Sequence, residues 1–302
     1  MMTISKDQAM SLRQGLDGCD RSVLSRRLRC ISVCSGKGGV GKTMISVGLA
    51  FWLARMKYKV LVIDGDLGLA NVDIQMGLDP RFTLQDVVLG HCSLADTVMR
   101  VEGGPDVLPS ASGAPEMVDM GNARREMFVS DLMNFAGNYD FILIDVGAGI
   151  GKGITAFLQV SSEVLVVVAN EPTSIMDAYS LIKILRKSKE PPPAMIVANM
   201  VRSLDEGDLL AQKLNKVVVR FLGIELPLAG TVVYDESVKD AVRARCPVVS
   251  YANASAASKC IKELAERICL QPGSRVSPAE MKEVFFEKLA DLGLRQKVEG
   301  GQ

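Results

Sequence analysis

Cys30-Ile31-Ser32-Val33-Cys34-Ser35-Gly36-Lys37-Gly38-Gly39-Val40-Gly41-Lys42-Thr43-Met44 is the stretch that decides the fold. Its first five residues read as a buried strand. The glycine-rich segment 35–43 follows at once and opens a helix, which is the strand–loop–helix context of a phosphate-binding P-loop. Glycines let the backbone wrap a β-phosphate, whose charge meets successive N–H groups and the helix N-terminus. Lys42 is placed to reach the β and γ oxygens, and the Thr43 hydroxyl to ligate Mg2+. The expected nucleotide contacts run from Gly36 through Lys37, Gly38, Gly39, Val40, Gly41, Lys42 and Thr43 to Met44.

Working outward, further apolar runs stand at 60–63, 141–144, 164–168 and 195–198, separated by helical periods at about 43–57, 120–136, 173–189, 204–222 and 236–244. Continuous β-branched runs, without polar alternation, mark strands buried on both faces. The expected fold is therefore α/β, a doubly wound, mostly parallel sheet with helices on both faces. Residues 30–270 form this ATPase-type domain, 1–29 an arm before it, and 271–302 a linker and last helix. The basic run Arg26-Arg27-Leu28-Arg29 reads as a solvated lead-in to the first strand.

Two acid-bearing strand ends complete the chemistry. Asp64 and Asp66 in Val62-Ile63-Asp64-Gly65-Asp66 close the second strand, and strand ends in such sheets face the ligand crevice. Tyr139-Asp140-Phe141-Ile142-Leu143-Ile144-Asp145 has the pattern of a buried strand that delivers Asp145 beside Thr43, where it holds a metal's water shell.

Composition narrows the alternatives. The chain has 302 residues, 35 Lys+Arg against 35 Asp+Glu, one His, and 48% hydrophobic content. Zero formal charge disfavours coating of polyanions by bulk charge, and a single His disfavours a His-ligated zinc or a Ser-His-Asp triad. Seven cysteines without a CxxC pair suit reduced, buried thiols in a cytosolic protein. The first thirty residues lack a signal-peptide core, and no apolar run approaches the ~18 residues of a membrane span.

The extra lysine in Lys37-Gly38-Gly39-Val40-Gly41-Lys42-Thr43 resembles the deviant Walker A loop of the MinD/ParA ATPase family, and the resemblance runs over roughly 30–270. It implies ATP and Mg2+ as cofactors and an ATP-dependent homodimer in which Lys37 acts on the partner's nucleotide. It implies that Asp66 orients the attacking water and that Asp64 supports Mg2+ through water. Thr43, Asp64, Asp66 and Asp145 are thus the expected metal-facing set, and Lys37, Lys42 and Asp66 the catalytic one. By the same resemblance Asn199 faces the adenine, with Asn170 and Asp235 on neighbouring loops. Tyr234 stands where a Pro is common.

Three passages, at 68–73, 145–150 and 171–179, together with Asp7-Gln8-Ala9-Met10-Ser11-Leu12-Arg13, are similar to the FlhG (FleN or YlxH) subgroup of that family, which controls the number and placement of bacterial flagella. The resemblance implies a slow ATP hydrolase and an arm (Asp7, Gln8, Leu12, Arg13) that stimulates a signal-recognition-type GTPase, FlhF. Flagellar switch (C-ring) proteins or a flagellar transcription activator are further partners it implies, and sequence-specific nucleic-acid binding is not expected. The last segment places Met281, Val284, Phe285, Leu289 and Leu292 on one helical stripe. That stripe suits packing on protein or weak, peripheral contact with the inner face of the cell membrane, since its charges sum to zero. Two other readings stay open: a ParA-type partitioning ATPase on nonspecific DNA, and a nucleotide-gated scaffold that antagonises a transcription activator.

Overall fold

The computed structural model describes residues 28–66, 70–110, 131–132, 134–149, 157–158, 161–188 and 190–271. Its centre is an eight-stranded sheet in the order β3-β4-β2-β5-β1-β6-β7-β8. The strands are β1 (Arg29–Cys34), β2 (Val60–Gly65), β3 (Met99–Arg100), β4 (Asp106–Leu108), β5 (Phe141–Val146), β6 (Glu163–Ala169), β7 (Ala194–Val201) and β8 (Leu228–Val233). All pairings are parallel except that of the short edge strand β3 with β4. Strands β1, β2, β5 and β6 are buried along their whole length, as expected of strands covered on both faces.

Alternate side chains feed two cores. Cys30, Cys34, Leu61, Ile63, Ile142, Ile144, Val164 and Val166 belong to one core with α5 (Pro172–Leu185) and α6 (Leu204–Leu222), which also takes in Leu84, Leu94, Leu132 and Ala136. Ile31, Val33, Val60, Val62, Leu143 and Leu165 pack on the other side against α1 (Lys42–Arg55) and α9 (Ala256–Leu270). Short helices α2 (Val72–Met76), α3 (Leu84–Leu89), α4 (Leu94–Thr97), α7 (Glu236–Arg243) and α8 (Val248–Tyr251) fill the remaining connections. Helix α1 is apolar almost all round, which is why it lies against the sheet and not on the surface.

Strand β1 sits between β5 and β6, so the connections leave it in opposite directions and open a crevice at its C-terminal end. The P-loop lies at that point. In register, Asp64 of β2 pairs with Asp145 of β5, and Val33 of β1 with the same Asp145.

Several expectations need correction. Arg29 is no solvated lead-in: it is 3% exposed. Its Nε and a terminal nitrogen donate to the two carboxylate oxygens of Glu163 at 2.9 and 2.7 Å, and its other nitrogen donates to the carbonyls of Ile268 and Gln271. An acid on the next strand and open helix-end carbonyls make burial of the charge tolerable. The helix expected at 173–189 stops at Leu185, well before Pro191, and the one at 43–57 stops at Arg55, before Lys57 takes a left-handed φ of 70°. Strand β8 and the edge strands were not expected at all. Of the helix expected at 120–136, only 131–132 and 134–136 fall among the described residues, and these are helical. The arm at 1–27 and the last segment, 272–302, lie outside them. No helix among the described residues is long and apolar enough to cross a membrane.

Candidate functional site

The loop between β1 and α1 is shaped by its glycines. Gly39 and Gly41 have φ of 80° and 82°, the left-handed region that a side chain disfavours. An added Cβ at Gly36 would lie 2.2 Å from the Asp177 backbone, so the loop's entry is pressed against α5. At Gly38 and Gly39 an added Cβ would meet nothing within 4 Å. The loop therefore presents an open outer face of backbone above the N-terminus of α1.

Beneath that face the side chains converge on Asp145, which is 1% exposed. The Thr43 hydroxyl donates to its Oδ2 at 2.7 Å, and the Ser46 hydroxyl to its Oδ1 at 2.7 Å. The Lys42 ammonium lies 2.9 Å from Oδ1. Lysine, threonine and serine thus share one carboxylate. Ser46 escapes the motif, yet it stands one turn after Lys42 as the one hydroxyl in the apolar stretch Met44–Ala54 of the helix, a signal that marks the residue but not its partner.

Asp64 lies beside Asp145 on the neighbouring strand and accepts the backbone N–H of Asp66, Asn71 and Val72 at 3.0, 2.9 and 3.1 Å. Burial, joined by the negative charge of Asp145, pushes Asp64 up to about 6 against the pull of those amides. Asp66 projects over the loop after β5: a Cβ added to Gly147 would come 3.1 Å from its Oδ1. Gly149 N–H in turn donates to the Ser35 carbonyl, tying that loop to the P-loop.

Lys37 points away from this cluster. Its ammonium meets Glu171 Oε2 at 2.5 Å and donates to the Thr173 hydroxyl at 3.1 Å, both at the start of α5. Asn199 is 1% exposed under the loop, and its amide donates to the Val40 carbonyl at 2.7 Å. Asn170 is engaged by Glu206 and by Lys213 of α6. Asp235 caps α7 and accepts from Ser237 and from the Ala257 N–H of α9, contacts that hold its carboxyl below the ordinary range. Val40 and Met44 have core side chains, so only their backbones can face a ligand. The structure gathers the loop with Asp64, Asp66 and Asp145, and it gives Asn170 and Asp235 partners of their own. Asp7, Gln8, Leu12 and Arg13 lie outside the described residues.

These residues fit a nucleotide with Mg2+. The open glycine face and helix N-terminus suit phosphates, the buried Lys42 supplies a cation, and a hydroxyl beside a carboxylate is the oxygen donor set of a hard metal held partly by water and phosphate. Among the described residues, no three His, Cys, Asp or Glu converge as a cage for a metal.

Comparison with known proteins agrees with this geometry. Residues 31–248 match the CobQ/CobB/MinD/ParA nucleotide-binding domain. The chain is 40% identical over 262 residues to the antiactivator FleN of Pseudomonas aeruginosa, covering 87% of this chain and 93% of that protein. It is 34% identical over 263 residues to the flagellum site-determining protein YlxH of Helicobacter pylori, covering 86% and 88%. The septum site-determining protein MinD of Pyrococcus horikoshii, solved with Mg-ADP, superposes with a TM-score of 0.66 at 25% identity, over 80% of this chain and 96% of that one.

Proposed function

The chain belongs to the CobQ/CobB/MinD/ParA nucleotide-binding family, and from that premise we propose that it is an ATP-dependent, dimerising switch that regulates the number and placement of flagella. The observation that carries this reading is the gathering of Lys42, Thr43 and Ser46 on Asp145, with Asp66 at the rim and Lys37 outside it. In the proposed cycle the backbone from Gly36 to Thr43 cradles the phosphates, and Lys42 leaves Asp145 for their oxygens. Thr43 and Asp145, with Asp64 behind them, would hold Mg2+ and its water. Bound there, Mg2+ would neutralise the charge that develops on the transferred phosphoryl group. Asp66 orients the attacking water and accepts its proton, and hydrolysis to ADP and phosphate ends the dimeric state.

Lys37 crosses to the second copy's phosphates. For Asn199 to border the base, with Asn170 and Asp235 on neighbouring loops, its amide leaves the Val40 carbonyl that now holds it under the loop. Residues 30–270 are the ATPase body, and the arm at 1–29, through Asp7, Gln8, Leu12 and Arg13, engages the FlhF-type GTPase. Flagellar switch proteins read the dimer. The kinship with FleN, named as an antiactivator, favours a second output in which the dimer sequesters a flagellar transcription activator. The location is the cytoplasm, with the last segment available for membrane contact.

Asp66→Ala tests the reading. With Mg-ATP the variant is expected to stay a dimer by light scattering while phosphate release falls by about 100-fold. A monomeric variant, or a wild-type chain that turns over ATP at full rate as a monomer, overturns the switch. A wild-type chain that binds ATP and dimerises but releases no phosphate leaves only the scaffold reading.

A further inference from the structure

Helix α2 follows Asp66 closely in the chain, and at five residues it is too short to hold itself. Its near end is fixed by Asp64, whose Oδ2 accepts the N–H groups of Asn71 and Val72, while Oδ1 accepts that of Asp66. One carboxylate thus takes the N–H of Asp66 and those that open α2. Val72 and Met76 turn the inner face of α2 into the core beside α1.

The far end has its own anchor, from a distant part of the chain. Arg245 donates from Nε to the Ile74 carbonyl at 3.4 Å and from a terminal nitrogen to the Leu78 carbonyl at 3.1 Å. A guanidinium at the carbonyl end of a helix also answers the negative end of its dipole. The backbones interlock as well. Gly77 ends α2 with a φ of 67°, and a Cβ added there would lie 2.6 Å from the Arg245 carbonyl oxygen. Arg245 has a φ of 50°, one of three non-glycine residues with positive φ among those described. A left-handed conformation persists at such a residue when its surroundings impose it. Those surroundings are the end of α7: Arg245 N–H donates to the Val242 carbonyl and Cys246 N–H to that of Ala241. At its other end α7 is capped by Asp235, which also accepts from Ala257 of α9.

We propose that Arg245 is a positioning residue for Asp66. It anchors the far end of α2 to the α7–α9 side of the fold as Asp64 anchors the near end. Helix α2 is then held at both ends, and because its first N–H groups and that of Asp66 bind the same Asp64 carboxylate, a shift of α2 reaches Asp66 through Asp64. Arg245 touches neither nucleotide nor metal and acts only through α2. The inference rests on the reading of Asp66 as the residue that orients water.

The test uses the full chain with Arg245→Ala and Arg245→Lys. Alanine has the same left-handed penalty as arginine, so it removes the guanidinium without changing backbone strain. Arg245→Ala is expected to lower kcat for phosphate release about fivefold while affinity for a fluorescent ATP analogue changes less than about twofold. Amide exchange at 71–78 should speed up about fivefold, with exchange in β1 and β5 unchanged. Arg245→Lys keeps a cation but not the two-pronged fork, and should recover part of both losses. Unchanged kcat together with unchanged exchange overturns the proposal. So does a loss of kcat matched by an equal loss of affinity and faster exchange throughout the sheet, which marks a merely structural role. If wild type releases no phosphate, the hydrolytic reading fails separately, and unaltered exchange at 71–78 in Arg245→Ala would still sink the anchor.

Discussion

Arg29 and Glu163 form an ion pair with side chains each 4% exposed, so its two halves should respond unequally to substitution. Replacing Arg29 by Met leaves Glu163 charged and unpaired inside the fold, at a cost of about 3–5 kcal/mol. Arg29→Met/Glu163→Leu removes both charges and should regain most of that loss, read as the midpoint of urea unfolding. A single variant as stable as wild type would mean that water reaches Glu163. Cysteine chemistry gives a second expectation at this scale. Burial pushes the Cys30 and Cys34 thiols up to about 12, so both stay protonated and inert at pH 8.5. Iodoacetamide on the native protein should spare these two, label the partly exposed Cys92, Cys246 and Cys260, and react more slowly with Cys269, whose thiol burial also pushes up. Labelling of Cys30 in the folded chain would contradict the packing of β1. The expectation of buried thiols holds for Cys30 and Cys34 alone, since the other four described cysteines are partly exposed. The pairing of Arg29 could not be read in the sequence, because its partner lies 134 positions away.

At the scale of elements, legibility followed length and punctuation. Helix α6 was expected at 204–222 and spans Leu204–Leu222, because Ser203 caps its start and Gly223, at φ 68°, ends it. Strand β8 opens on Leu228-Ala229-Gly230, which leaves its β-branched residues as a run of only three, Thr231, Val232 and Val233. Helix α2 is shorter than any window in which a period can be read. In the site, the loop and its three acids were legible as motifs. A polar residue amid apolar ones could mark Ser46, but the partners of Ser46, Glu171 and Thr173 lie 99 to 136 positions away, where no local pattern names them. Helix α7 has eight residues and depends on its cap. Asp235→Ala should cost about 1 kcal/mol near neutral pH. The carboxyl of Asp235 is depressed in the folded state, so its contribution is complete above the ordinary carboxylate pKa of 3.8 and disappears as pH falls through the lower folded value. The gap between wild type and variant should therefore be flat from about pH 7 to 5 and close below about pH 4. A gap that widens in acid would mean that the charged carboxylate is not the form that caps α7.

For the whole molecule, the decisive residue is the one the single chain does not need. Lys42 is 8% exposed and serves the fold through Asp145, whereas the Lys37 and Glu171 side chains are 39% and 57% exposed. A pair so open to water is worth no more than about 1 kcal/mol, so Lys37 can leave it at little cost when phosphates of a second copy come within reach. Lys37→Ala should accordingly keep its affinity for a fluorescent ATP analogue within about threefold and keep its melting temperature, yet lose the doubling of mass expected of the wild type with Mg-ATP. Lys42→Ala should lose nucleotide binding and dimer together, because a lysine inside the loop serves both. Glu171→Gln releases Lys37 from its resting partner in both copies, so the largest gain available is about 2 kcal/mol per dimer and shifts ATP-dependent dimerisation to protein concentrations at most about 30-fold lower. Light scattering across a concentration series separates the three variants. A Lys37→Ala chain that still dimerises with Mg-ATP would make the lysine a surface residue of the loop, and the switch would then have to be assembled from the Asp66 side of the crevice alone.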